Sequence, residues 1–411
     1  MTKPNKLIGL IKRIDYRLWI IAILIVYYGL YWGSFQNFIN DIDHCQLAFC
    51  DFVAFYYPAG KAILNHTQIP GGFYYSNFAA ILLSPFAFLR GETATIIWGA
   101  LQVILSGLFF LITSKQLIKG KVSGYVFTFL FLTCSALLNN FKWGQFSILI
   151  TVGIWGAFLL YENGKRNLSA LLLGSMVAIK FYPAIFLLPF IFKRDWKYLI
   201  VSTITAAICL LLVPLPFMGF SSSMLFQLAP GERITQLLQS VAIHNIDTQY
   251  FSSVIARSLN IPINSPVSDI LVAAGYLVVI FTIFMAYRVS RSEIPGGLFC
   301  ACGLLFATIP FWISSSWPHY FVYLPILQIM AFQEINRDGA PIKRSLLILW
   351  IFSVVLSSIL TMQAVQSWNK YIGLGSLFWS NLAILQLFSM ILWSYIKPNR
   401  SKAEHGSLSP D

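Results

Sequence analysis

The sequence predicts an all-α polytopic membrane protein, and three observations predict it. Of its 411 residues, 57% are hydrophobic and only 10% are charged. One soluble core of this length does not hide that much apolar surface, whereas lipid accepts it as a solvent. Apolar segments long enough to cross or half-cross a bilayer recur along the whole chain. Lys and Arg, finally, gather on one side of the layout these segments impose. Aromatics at 16% supply interfacial anchors.

Taken in order, residues 1–17, "MTKPNKLIGLIKRIDYR", form a basic cytoplasmic flank. It leads into a first span at 18–35 without the small-residue cleavage site of a removable leader. Residues 36–92 form a long outer segment. Within it "SNFAAILLSPFAFL", 76–89, is short for a span and reads as re-entrant or interfacial. Spans follow at 93–113, 124–140 and 146–161. Residues 168–192 read as one long apolar run, but Lys180 and Pro183 interrupt it. A charge and a proline rarely sit mid-helix in lipid. Two short helices, 168–179 and 182–192, meeting near the outer face, resolve the conflict. They put the basic loops "ENGKRN" and "KRDWK" on the same, inner side.

Further spans fall at 198–217, 270–287, 297–314, 320–333, 345–362 and 377–396, with a second long outer segment at 218–269. The result is a transmembrane domain over 18–396 of about 12 helices. A cytoplasmic tail follows at 397–411, so both termini are cytoplasmic. The Lys/Ile/Phe-rich composition with short loops reads as bacterial, which places the chain in the plasma (inner) membrane.

The net charge of +13 invites a nucleic-acid reading, which the layout removes. Only Lys61, Arg90, Lys142, Lys180, Arg233, Arg257 and Lys370 escape the inner side, so the excess is the positive-inside signal. No nucleic-acid partner is expected, and membrane lipids are.

The outer side carries the chemistry. Asp41, Asp43 and Asp51 lie in the first outer segment, with His44 beside the first pair. "DIDHC" raises a metal site, but residues two apart converge on one ion only in special loops. A solvated loop is the simpler reading, and no metal is expected. Cys45 and Cys50 share this loop and pair if it faces an oxidising compartment; the other four cysteines are small core residues. Lys61 also reads as a snorkelling side chain. Lys180, between two apolar runs, requires a partner or an anion. Gln145 and His319 are polar groups among aromatics at span ends. Together these residues describe an outer-face cavity with carboxylates, cations and aromatic walls. It suits a substrate with a phosphate, a sugar and a lipid tail.

Four stretches in order, "DFVAFYYPAGKAIL" with "FYYSNFAAILLSPFAFL", "KWGQFSILI", "SALLLGSMVAIKFYPAIFLLPFIFKRDW" and "SSSWPHYFVYLPIL", resemble glycosyltransferase family 87, and "YFSSVIARSLN" matches more weakly. The resemblance spans roughly residues 45–335. It implies the GT-C fold, with extracytoplasmic loops carrying the active site. It also implies a lipid-linked sugar donor, a polyprenyl-phosphate sugar, and a lipid or glycan acceptor, with no further cofactor. Asp51 matches the catalytic base, with Asp41 and Asp43 as rivals. Lys180, Arg257 and His319 would stabilise the phosphate, Gln145 and Tyr182 would position sugar or phosphate, and Lys61 joins the binding set. The expected activity is hexosyl transfer, most simply of mannose, by an inverting single displacement. Arabinofuranosyl transfer by the same fold is the alternative within the class. A transporter or flippase of lipid-linked sugars, and a non-catalytic scaffold, are the alternatives outside it. The chain departs from the family at "YYSNF", where Tyr-Pro-Pro is frequent, and at "IDTQYFSS", where Asn-Gln-Ser is frequent.

Overall fold

Apolar runs without β-type alternation fold as helices, since a helix satisfies its own backbone where no water is present. The computed structural model describes residues 49–219, 246–262, 265–292, 296–337 and 343–396. Among them the chain is helical, with one isolated backbone bridge and no strand. The expected span 18–35, Asp41, Asp43, His44, Cys45, Arg233 and His244 lie outside the described residues.

The first outer segment folds as a π-helical turn, Phe52–Tyr56, continuing into α1, Tyr57–Leu64. Next come α2, Asn77–Leu83, and a 3₁₀ turn, Ser84–Phe88. The longer elements follow. They begin with α3, Gly91–Leu117, α4, Lys121–Thr133, α5, Ser135–Trp143, and α6, Ser147–Glu162. Then α7, Arg166–Ile179, a 3₁₀ turn, Tyr182–Leu187, and α8, Leu188–Phe192, precede α9, Trp196–Ala207. A short α10, Leu215–Met218, ends this part. The remainder is α11, Phe251–Ser258, α12, Pro266–Arg291, α13, Gly297–Trp312, and α14, Leu324–Ile335. It closes with α15, Lys343–Ser357, α16, Ile359–Val365, α17, Trp368–Gly373, and α18, Ser376–Ile396. The main pairings are α12 with α13, α7 with α6 and α9, α15 with α18, and α14 with α4.

Among the described residues, four stretches are long and apolar enough to cross a membrane: Gly91–Leu117, Trp196–Met218, Pro266–Arg291 and Ser376–Tyr395. Shorter apolar helices, α4, α6, α7 and α13 among them, fill the spaces between. The outward faces of the long helices stay apolar and exposed, as at Ile96, Val103, Ile204, Leu277 and Ile280. Aromatics recur through the largely aliphatic interior, Phe186, Phe190 and Phe306 among them.

The interruption at Lys180–Pro183 forms as the sequence predicts. Lys180 is extended, with φ −149° and ψ 139°, and α7 ends there. Chain direction then reverses, and the two basic loops meet. Arg166 lies 3.9 Å from Asp195, and Tyr161 donates to Asp195 at 2.8 Å. Asp195 also caps α9 by accepting from the Tyr198 N–H. Two other expectations need correction. The spans 124–140 and 345–362 were each expected to be continuous, but α4 stops before Cys134 and α15 before Ser358. Both residues are extended and pair with each other in the isolated bridge. Two helix breaks thus supply each other's backbone partners, as a buried break requires.

Gly174 on α7 sets how closely α9 approaches. A Cβ there would stand 2.4 Å from the Ser202 carbonyl oxygen, which is backbone. Gly174→Ala is therefore expected to lower stability by about 1–3 kcal/mol. Gly156→Ala, whose Cβ would meet only Leu172 Cδ2 at 3.5 Å, is expected to be near neutral. Thermal unfolding of both variants in detergent checks this; equal midpoints would contradict it.

Candidate active site

The ends of α5, α7 and α13 and the turn before α1 enclose one cavity of about 880 Å³. Asp51 enters it at the head of the π-helical turn Phe52–Tyr56. That turn is fixed by apolar contacts. Phe52 stacks on Trp98 of α3 with ring centroids 4.9 Å apart, and Phe86 meets Phe52 edge-on. Cys50, next to Asp51, is buried and disulfide-bonded; Cys45, the partner the sequence suggests, is outside the described residues.

Across from Asp51 runs the Trp-Gly-Gln turn between α5 and α6. Gly144 has φ +66°, in the left-handed region that terminates α5. An added Cβ would come within 3.0 Å of Phe49 Cβ and Trp98 Nε1, so a side chain here would push the Asp51 segment away. Gln145 then reaches the carboxylate. Its Oε1 accepts from Tyr56 Oη at 2.7 Å and Tyr75 Oη at 2.8 Å. Two hydroxyl donors on Oε1 fix the amide orientation, so Nε2 donates to Asp51 Oδ2.

Lys180 sits where α7 ends. Its Nζ lies 4.4 Å from the ring centroid of Tyr320 and 4.6 Å from that of Tyr75, with Tyr182 at 6.0 Å. Aromatic faces thus stabilise the ammonium, and it does not close into an ion pair with Asp51. Ser76, from the "YYSNF" departure, holds this junction. Its Oγ caps α2 by accepting from the Ala79 N–H and donates to the Ala178 carbonyl, two residues before Lys180. Ser76 N–H also donates to the Ile179 carbonyl.

His319 follows Pro318 in a 3₁₀ turn, Pro318–Tyr323, packed on α5. It stacks on Tyr320 with ring centroids 5.1 Å apart and lines the cavity. Its Nδ1 is buried with no hydrogen-bond partner among the described residues. Burial, and secondarily the Lys180 charge, hold the imidazole well below its usual pKa. The imidazole is thus held toward its neutral form, in which one ring nitrogen is a donor and the other an acceptor.

Burial pushes the Asp51 carboxyl up to about 7, against the Lys180 charge and the Gln145 hydrogen bond, which both pull it down. A carboxylate poised there exchanges a proton near neutrality.

Of the residues singled out by sequence, Asp51, Gln145, Lys180, Tyr182 and His319 share this cavity. Lys61 and Arg257 do not line it. Lys61 is exposed over the Tyr57 ring, 4.7 Å from its centroid. Arg257, on α11, donates from Nη2 to the Thr248 carbonyl at 2.9 Å. Sequence reasoning passed over Asp247, which lines the cavity from the second outer segment. Its neighbours staple it in place. Thr248 Oγ1 donates to the Ser314 carbonyl at 2.8 Å, and Gln249 N–H donates to the Ser316 carbonyl at 2.8 Å. The signal was its position in "IDTQYFSS", one of the two departures. Among the described residues, no three of His, Cys, Asp and Glu come together as a metal-binding group.

Residues 73–315 match the model of glycosyltransferase family 87. That segment holds Gln145, Lys180, Tyr182 and Asp247, while Asp51 and His319 flank it. The chain is 26% identical over 418 aligned positions to a polyprenol-phosphate-mannose-dependent alpha-(1-2)-phosphatidylinositol mannoside mannosyltransferase of Mycobacterium tuberculosis. The match covers 93% of this chain and 92% of that protein. No solved structure matches.

The Asp51 environment is testable without any substrate. Infrared titration of the protonated carboxyl band, taken as wild type minus Asp51→Asn, should give a midpoint near pH 7. Lys180→Met removes a charge that lowers this pKa, so its midpoint should move higher, as should that of Gln145→Ala. An ordinary carboxylate midpoint near 4 in wild type, or a downward move in either variant, would contradict the geometry.

Proposed function

The chain belongs to glycosyltransferase family 87, and from that premise we propose that it is a membrane glycosyltransferase that moves a hexose, most simply mannose. The donor is a polyprenyl-phosphate sugar, and the acceptor is a lipid or glycan on the extracytoplasmic face. The observation that carries this is the Asp51 carboxylate, held by Gln145 beside a lysine caged in tyrosine rings. The mannose assignment draws on the relative's dependence on polyprenol-phosphate-mannose. A phosphatidylinositol mannoside, its acceptor, is the first to try.

The reaction is a single displacement. Asp51 takes the proton of the acceptor hydroxyl as its oxygen attacks the anomeric carbon. The bond from that carbon to the phosphate oxygen breaks, and the polyprenyl phosphate leaves with the electron pair. One displacement inverts the anomeric centre. Lys180 faces the leaving phosphate and stabilises its developing charge. His319 donates a hydrogen bond to the same group. Because phosphate leaves as a stable anion, acid assistance is less necessary. Asp247 accepts hydrogen bonds from hydroxyls of the acceptor; Asp51 and Lys180 have separate tasks, and a carboxylate suits this one.

The extracytoplasmic face is supported by the Cys50 disulfide beside the base, since such bonds persist in oxidising compartments. It is supported too by the pairing of the two basic loops at the far end of α7. A bundle of about 12 spans with both termini cytoplasmic remains the topology we propose, in a bacterial inner membrane.

Sugar transfer from polyprenyl-phosphate mannose to a phosphatidylinositol mannoside checks the reading. Asp51→Asn should lower kcat by about 10²–10⁴-fold while donor binding persists. Full activity in this variant would move the base elsewhere. Asp247→Asn should mainly raise the acceptor KM, and an unchanged KM would remove it from the acceptor site.

A further inference from the structure

Gln102 lies within α3, one of the four long apolar stretches, and is wholly buried. A buried polar side chain inside such a helix is costly and marks a task. Both ends of its amide are used. Nε2 donates to the Gln145 carbonyl at 3.1 Å, and Oε1 accepts from Asn140 Nδ2 at 2.9 Å. Asn140, on α5 and also wholly buried, extends the arrangement. Its Oδ1 accepts from the Ile148 N–H at 3.3 Å, and its carbonyl accepts from the Gln145 N–H at 3.0 Å. One turn earlier on α3, Trp98 Nε1 donates to the Gly144 carbonyl at 2.9 Å.

The Gln145 carbonyl is thus taken by the buried Gln102 amide and the Gly144 carbonyl by an indole, while the Gln102 amide is itself held by that of Asn140. A turn between helices does not need this. The turns after α5 and α6 close with the same backbone bonds, Gly144 N–H to the Phe141 carbonyl at 3.1 Å and Gln145 to Asn140 at 3.0 Å after α5, Gly164 to Tyr161 at 2.9 Å and Lys165 to Leu160 at 2.8 Å after α6, so the grip from α3 is added to a turn that is already closed. Only the turn that carries the Asp51 partner is gripped by α3 through side chains of this kind, among the turns joining α5 to α7.

We infer that Gln102, with Asn140, is a positioning residue for catalysis: through the backbone of Gln145 it fixes the amide that holds the Asp51 carboxylate. This rests on Asp51 as the base. Loss of the grip lets the Gln145 amide drift from Asp51, which leaves the carboxylate misoriented and short of a donor that favours its charged form.

The test uses full-length protein and the transfer assay above, with kcat, donor KM and the pH profile read together. Gln102→Leu is expected to lower kcat by up to about 100-fold, with donor KM nearly unchanged and the acid limb moved to higher pH. The double variant Gln102→Leu/Gln145→Ala should be no slower than Gln145→Ala alone, since both changes break one linkage. Gln102→Glu should rescue, because a buried neutral carboxyl keeps one donor and one acceptor. Should Gln102→Leu fail to fold, Trp98→Phe, which keeps the ring on Phe52 but loses the Gly144 bond, should show the same limb shift on a smaller scale. An acid limb at the wild-type position in Gln102→Leu, or in Trp98→Phe where only that variant folds, overturns the inference, as do multiplying effects in the double variant. Unimpaired transfer by Asp51→Asn would instead overturn the assignment of the base.

Discussion

A half-buried carboxylate and a half-buried ammonium share one cavity here without neutralising each other, and the surrounding structure serves that arrangement. Isolated charges are expensive away from water. The usual remedy, a tight ion pair, would spend both groups on each other. Lys180 is instead stabilised by the faces of Tyr75 and Tyr320, and Asp51 by the Gln145 amide. Each keeps capacity for a ligand, Lys180 for an anion and Asp51 for a proton. The raised pKa of Asp51 is the consequence of burial that a direct ion pair would have cancelled.

Helix ends build the site, and this follows from the solvent. Within lipid every backbone group must be satisfied inside the protein, so irregular backbone is confined to buried breaks and cavities. The break at Lys180 is held by Ser76, the turn at Gly144 by Trp98, and the segment at Asp247 by the 314–316 backbone. Lys180, Gln145 and Asp247 therefore project from points where the chain stops being helical and another element takes up its hydrogen bonds. The paired breaks at Cys134 and Ser358 obey the same rule away from the cavity.

The legible part of the site was chemical misfit. Lys180 inside an apolar run broken by Pro183, Gln145 and His319 among aromatics, and Asp51 in the outer segment after the first span all stand out from their surroundings, and the structure brings these polar groups together. What stayed hidden was pairing across the chain. Ser76 is an unremarkable serine until α7 arrives, and Gln102 is one polar residue on a long helix until it meets residues some forty positions away. The breaks at Cys134 and Ser358 carry neither proline nor glycine, so apolar periodicity ran through them. Lys61 and Arg257 stood out by charge alone, and the structure sets them outside this cavity, over Tyr57 and on the Thr248 carbonyl.

The central claim is that a single buried carboxylate, Asp51, accepts the proton in sugar transfer. The pH dependence of kcat for transfer from polyprenyl-phosphate mannose tests it most directly. Only the ionised form is a base, so the wild-type rate should fall below an apparent pKa near 7. The residual rate of Asp51→Asn should lack that limb. A wild-type rate that stays level from pH 8 to pH 5, or a limb that survives in Asp51→Asn, would contradict the account.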